Sequence, residues 1–189
     1  ISISILMIAA YYTYISQNTG WIVIGGIGGF IMAIITFFKK EWSQYTVPIY
    51  ALLEGLALGG ISSLYNNMYD GIVSQAIFLT FGIFCSLLFA YKTKIISPTE
   101  NFKLGIFAAT AGIGVVYFIS FIMSFFGTGL GILSIQNSSL MSIGFSLFVV
   151  VIASLNLVLD FDFIEEGAEK GAPKYMEWYA TFGLLVTLI

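Results

Sequence analysis

The sequence predicts an all-α polytopic membrane protein, with seven transmembrane helices forming a single domain over residues 1–189. Three observations carry that prediction. Hydrophobic residues make up 59% of the chain and charged residues 9%, with a mean hydropathy of +0.98, whereas a soluble domain needs roughly a quarter of its residues charged to cover its surface. Seven stretches are apolar over all or most of the ~20 residues that a bilayer core of ~30 Å requires. The lysines, which are the only basic residues, all fall in alternate connections between those stretches, the pattern of the positive-inside rule.

The first stretch, 1–15, is short. Ile1 opens directly into apolar sequence with no basic region ahead of it, so no signal peptide is read, and the first and last stretches look clipped. The second, 20–38, contains "GGIGG" with Gly25 and Gly29. The third, 45–64, contains "YALLEGLALGG" with Gly55, Gly59 and Ser63. The fourth, 73–91, has Gly82, Ser86 and Ala90, and the fifth, 103–126, has Gly105 and Ala109. Small residues at four-residue spacing let helix backbones approach closely in lipid, and tight packing is sufficient to explain them. The sixth, 139–160, runs into the acidic "FDFIEEGAEKGAPK", and the seventh, 175–189, ends in "LLVTLI".

The connections are "SQNTG", "KKEWSQ", "YNNMYDGI", "KTKIISPTENFK", "GTGLGILSIQNSS" and that acidic run. Lys39 and Lys40 follow the second stretch, Lys92, Lys94 and Lys103 the fourth, Lys170 and Lys174 the sixth. Those connections are expected to be cytoplasmic, with the N-terminus inside and the C-terminus outside.

Several function classes drop out. With no arginine and no basic tract there is no phosphate-binding stripe, hence no nucleic-acid partner. Cys85 cannot form an internal disulfide and is expected to pack as a small hydrophobe. Without histidine, a metal site must be built from oxygens and a proton switch from carboxylates. No G-x-S-x-G, phosphate loop or H-E-x-x-H is present, so hydrolytic chemistry has no base or nucleophile. "LDFDF" lacks the ligand spacing of a helix–loop–helix calcium site, with Ile164 where a third oxygen belongs. Nor does it match the Gly-Asp signature of an intramembrane aspartyl protease.

Two places carry chemistry. Glu54 lies near the middle of the third span, where an ionisable group costs roughly 3 kcal/mol. On a helix its face holds Val47, Tyr50, Leu58, Ile61 and Tyr65, with Gly55, Gly59 and Ser63 on the neighbouring stripe. Tyr50, one turn away, is a candidate hydrogen-bond partner. Glu54 is either a protonated acid hydrogen-bonded inside the bundle or a proton or cation site on a pathway, and for intramembrane carboxylates the functional reading is the default.

The second place is "LNLVLDFDFIEEGAEKGAP", where Asp160, Asp162, Glu165, Glu166, Glu169 and Glu177 crowd one end of the sixth span. If the helix continues to Gly167, then at about 100° per residue Asp162, Glu165, Glu166 and Glu169 fall about 140–240° from Asp160, which sits among Phe163, Ile164 and Gly167. Four acids then face water and Asp160 faces the apolar side, where it must find a partner or a proton.

These residues resemble the Bax-inhibitor-like, or transmembrane BAX inhibitor motif, family in its bacterial branch: seven spans with lysines in alternate connections, "LLEGLALGG" in the third, and "LDFDFIEEG" closing the sixth, with Asp160, Ile164 and Gly167 at the family's spacing. The resemblance covers essentially the whole chain. It implies a last helix wrapped by the other six and a calcium-permeable, pH-sensitive leak in which an aspartate pair joins the sixth and seventh helices. Carried over, Asp160 is one half of that latch and Glu54 the pore carboxylate. Both are then candidate calcium-contacting residues, with Asp162 and Tyr50 secondary and no cofactor beyond the permeant ion.

This chain departs from the pattern in two ways. The seventh-helix acid aligns with Leu185 and residues 178–189 hold no carboxylate; and no arginine stands beside the latch, Lys39 and Lys40 being the nearest cations. Cation flux is expected to fall as protonation removes the carboxylate charges. Two alternatives use the same residues differently: a proton-coupled carrier of a small solute, and a non-conducting regulator that binds another membrane protein. The resemblance implies a bacterial inner membrane.

Overall fold

The computed structural model describes residues 1–127 and 139–189. Among them are seven α-helices: α1 (Ser2–Ser16), α2 (Gly20–Phe38), α3 (Ser43–Met68), α4 (Ile72–Lys92), α5 (Glu100–Phe125), α6 (Leu140–Glu169) and α7 (Tyr175–Leu188), with a 3-10 turn, Lys40–Trp42, leading into α3. The expected connection 127–139 lies, apart from its two end residues, outside the described residues.

Five helices, α2 to α6, are long and apolar enough to cross a membrane. The remaining two, α1 with 15 residues and α7 with 14, rise only about 21–23 Å at 1.5 Å per residue, less than a bilayer core of ~30 Å.

Local chemistry sets the ends. Thr99 caps α5 by accepting a hydrogen bond from the Phe102 N–H at 3.3 Å, and Glu100 sits in the first turn, where the helix dipole favours an acid. α6 continues nine residues beyond the apolar stretch that ends at Asp160 and closes on Gly171 with φ +62°. There the Ala172 N–H bonds to the Gly167 carbonyl and the Gly171 N–H to the Ala168 carbonyl, a glycine-based C-terminal motif. Most of the acidic connection expected after the sixth span is therefore helix.

The chain forms two compact units, residues 1–83 with 163–189, and residues 84–162. Both boundaries fall inside helices, α4 and α6, so no linker separates them.

In the first unit α3 is the most enclosed helix. It meets α1 through Gly55 and Gly59: a Cβ at Gly55 would lie 2.5 Å from the Leu6 carbonyl oxygen and 2.8 Å from the Ala9 Cβ, and one at Gly59 would collide with the Ala10 carbonyl. It meets α2 through Gly25, where a Cβ would collide with the Leu53 carbonyl and the Ala57 nitrogen. The small-residue stripes are thus backbone contacts, as their spacing requires.

On another side of α3, Val47, Tyr50 and Ala51 join Leu6 of α1 and Phe182 and Leu185 of α7 in the apolar core. Buried hydroxyls tie the same region together. Thr36 donates to the Met32 carbonyl at 2.7 Å and shares a 2.7 Å hydrogen bond with Thr46, while Ser43 donates to the Tyr175 carbonyl at 2.7 Å.

In the second unit α5 and α6 run antiparallel. Lys103 meets Asp162, Thr110 meets Asn156, and Tyr117 packs on Phe145 with ring centroids 6.4 Å apart. The α5 partners recur every seven residues, the repeat that keeps one helix edge against a neighbour. Phe161 receives Phe84 edge-on at 5.6 Å and Tyr91 at 5.8 Å. Large apolar side chains such as Phe107, Phe118, Phe121 and Leu147 remain exposed. They are the surface a bilayer solvates.

Close packing at α3 has a direct test. Gly59→Leu is expected to lower thermal stability in detergent by about 1–3 kcal/mol or more, because the side chain meets backbone that cannot yield, whereas Gly26→Leu, with nothing within 4 Å of its Cβ position, is expected to melt like wild type. Equal melting of the two variants would show that α1 does not approach α3 this closely.

Candidate functional site

Glu54 sits in the middle of α3 with its carboxyl turned onto α2. A Cβ at Gly29 would lie 2.6 Å from Glu54 Oε1 and 3.0 Å from its Cδ, so the carboxyl rests over the bare backbone of position 29 and would have to shift if that residue carried a side chain. The half-buried carboxylate makes no hydrogen bond or ion pair among the described residues. Its neighbour one turn back, Tyr50, is 4% exposed and packs edge-on against Phe182 with centroids 5.0 Å apart and planes at 77°. No hydrogen bond joins Tyr50 to Glu54 among the described residues. Of the rest of that face, Val47 is fully buried, Leu58 half-buried, and Ile61 and Tyr65 exposed.

Asp160 sits on α6 next to the buried Leu157, Val158 and Phe161, and its Oδ2 is shut off from solvent. That matches an acid on the apolar side of the helix. Asp162 differs from the expectation that it faces water. It is half-buried and pairs with Lys103 at 2.7 Å, the two side chains being 24% and 32% exposed, while Lys103 also reaches Glu100 at 3.3 Å. The cause is tertiary: the first turn of α5 lies beside this end of α6, which the periodicity of α6 alone could not reveal. Glu165, Glu166 and Glu169 are exposed as expected, with Glu166 paired to Lys170.

Leu185 is 1% exposed and belongs to the apolar core. The place where the resemblance puts a second latch acid is therefore filled by hydrocarbon. Cys85 is exposed on α4 rather than packed inside. A further polar residue escaped the sequence reading: Asn156 on α6, whose amide nitrogen donates to Thr110 Oγ1 at 2.8 Å and to the Ile152 carbonyl at 2.9 Å. An asparagine inside an apolar helix, one turn before an acid, was the available signal.

Among the described residues no three His, Cys, Asp or Glu side chains gather as a metal-holding group. An apolar groove of about 370 Å³ runs between α1, α3, α4 and α7, lined by Leu58, Ile61, Thr80 and Leu185 among others, and Glu54 does not line it.

The Lys103–Asp162 pair is a measurable interaction. In a double-mutant cycle with Lys103→Met and Asp162→Asn, a stabilising coupling is expected in thermal stability, since both side chains are partly withdrawn from solvent. Strict additivity of the two substitutions would show that the pair contributes nothing to the α5–α6 contact.

No curated protein sequence and no solved structure matches the chain. A family model does: it describes Bax inhibitor 1 like proteins, and it aligns with residues 1–189, from the first apolar helix through Glu54 and Asp160 to the end of α7. The chain is an integral membrane protein that belongs to the Bax inhibitor 1 like family.

Proposed function

We propose that this protein is a proton-sensitive cation leak, with calcium among its permeant ions, that uses intramembrane carboxylates to lower the barrier to a cation. The observation that carries this reading is Glu54. A carboxylate in mid-span costs several kcal/mol unless something offsets it, and in the first unit nothing among the described residues bonds to it, while a glycine on α2 makes room for it. A structural acid would be tied to a donor. This one is available to a passing ion.

Asp160 supports the same reading at the other end of the acid's environment scale: it lies where α6 leaves its apolar stretch, shielded on one oxygen and followed by the Asp162–Lys103 pair. Protonating either acid removes the negative charge that a cation would use, so flux should fall as the medium is acidified. The full count of seven spans and a last helix enclosed by the others belong to this reading, as do calcium as the ion and a bacterial inner membrane as the setting.

The test is calcium influx into liposomes that carry the reconstituted protein and a trapped indicator. If each carboxylate is worth about 1.4 kcal/mol at the limiting barrier, Glu54→Gln and Asp160→Asn each reduce influx about tenfold, and both flatten its dependence on pH. Well-folded wild type that passes no cation would turn the reading toward a regulator that binds another membrane protein.

The lysine-bearing connections are read as cytoplasmic. In a Cys85→Ala background, single cysteines at Lys94 and Lys174 are expected to resist a membrane-impermeant maleimide in intact cells, and cysteines at Asn18 and Asp70 to react. Labelling of both sets, or the reverse pattern, would overturn this orientation.

A further inference from the structure

The α6 helix carries a polar stripe that the carboxylates alone do not explain. At about 100° per residue, Ser142, Ser146, Asn156 and Asp160 fall within an arc of about 80°, separated along the helix by Val149 and Ala153. The other polar residue of this stretch, Ser154, lies about 120° away from Asp160. Ser146 donates to the Ser142 carbonyl at 2.9 Å, and the Ser142 N–H donates to Ser139 Oγ at 3.3 Å. Asn156 instead reaches another helix, through Thr110 of α5.

The geometry of that contact fixes which atom of Asn156 is left over. A side-chain amide has two N–H donors and one carbonyl oxygen. Thr110 Oγ1 and the Ile152 carbonyl take the nitrogen at 2.8 and 2.9 Å, which uses both donors. The carbonyl oxygen makes no hydrogen bond among the described residues, and its residue stands one turn, about 6 Å, from Asp160 on nearly the same face. A neutral oxygen oriented by two hydrogen bonds, on the helical turn next to a carboxylate, can together with it replace part of a cation's hydration shell, the device used by selectivity filters. An interhelical clamp needs the donors only; it does not need the oxygen to be free.

We infer that Asn156 is an oxygen ligand on the cation path, acting next to Asp160 and oriented by Thr110, so that an ion leaving the Asp160 carboxylate passes to the Asn156 carbonyl. The inference rests on the conduction reading for its purpose, and on the α5–α6 geometry for its residues. Asn156 contacts the ion directly; Thr110 is a positioning residue.

Terbium serves as the probe, titrated into purified full-length protein and read by luminescence sensitised through aromatic rings, of which Tyr91 packs on Phe161 beside Asp160. Asp160→Asn should abolish the sensitised site. Asn156→Leu should weaken it about tenfold, the effect of losing one contact of about 1.4 kcal/mol, and Thr110→Val should weaken it less. Asn156→Asp, which keeps an oxygen there and adds a charge, should tighten it and guards against misfolding of the leucine variant.

Asn156→Leu and Asn156→Asp titrating like wild type would overturn the inference and leave Asn156 as a clamp between α5 and α6. Liposome influx separates the two layers. Terbium binding that depends on Asn156 in a protein that passes no cation supports the ligand and removes the conduction reading, whereas influx unchanged by Asn156→Leu removes the ligand and leaves conduction standing.

Discussion

The first unit depends on how closely three helix backbones come together. In lipid no hydrophobic force draws one apolar helix onto another, since acyl chains solvate leucine as well as leucine does. What remains is van der Waals contact, which needs surfaces without protrusions. Gly25, Gly55 and Gly59 supply them, each so close to a neighbouring carbonyl that a methyl group would not fit. Glu54 inherits its place from this arrangement. Gly29 continues the same bare strip of α2, and the carboxyl occupies the notch where a side chain would stand. Packing and site are one feature, and the space that brings α2 against α3 also admits the acid.

The two units are held by different means. The first relies on glycine contacts, an apolar core around Val47 and Leu185, and buried hydroxyls at Thr36, Thr46 and Ser43. The second has little burial and relies on contacts spaced along α5 and α6, a charged pair at one end, an amide–hydroxyl bond in the middle and an aromatic pair beyond it. Polar contacts between helices in a membrane are worth only about 0.6–2 kcal/mol each. Such a seam is therefore specific in register without being strong.

Much of this was legible in the chain because the bilayer constrains sequence so heavily. The helix from 20 to 38 was set by length and hydropathy alone, and the roles of Gly25 and Gly55 by four-residue spacing. The prominence of Glu54 followed from the cost of a charge in hydrocarbon. What could not be read were the properties that depend on a second helix. The pairing of Asp162 with Lys103 joins residues 59 positions apart in the chain, and helical periodicity places side chains only relative to their own axis. Asn156 is easy to miss because an amide carries no charge and one polar residue is averaged away among the apolar neighbours of its helix. The end of α6 lies well beyond the apolar stretch because apolar length reports where lipid stops, not where hydrogen bonding stops; Gly171, at positive φ, is the terminator.

That extension changes the mechanics of the helix. Thirty residues rise about 45 Å, about half as long again as a hydrocarbon core of ~30 Å, so α6 cannot lie wholly within one. Its last turns, carrying Glu165, Glu166 and Glu169, are where the excess length falls, and how much of them is wetted is set by membrane thickness. In a thinner bilayer another turn surfaces, and in a thicker one the acidic turns are drawn toward the headgroups, at a cost of fractions of a kcal/mol per Å. Asp160 stands where the apolar stretch of the helix ends, so such a change would carry it toward or away from water.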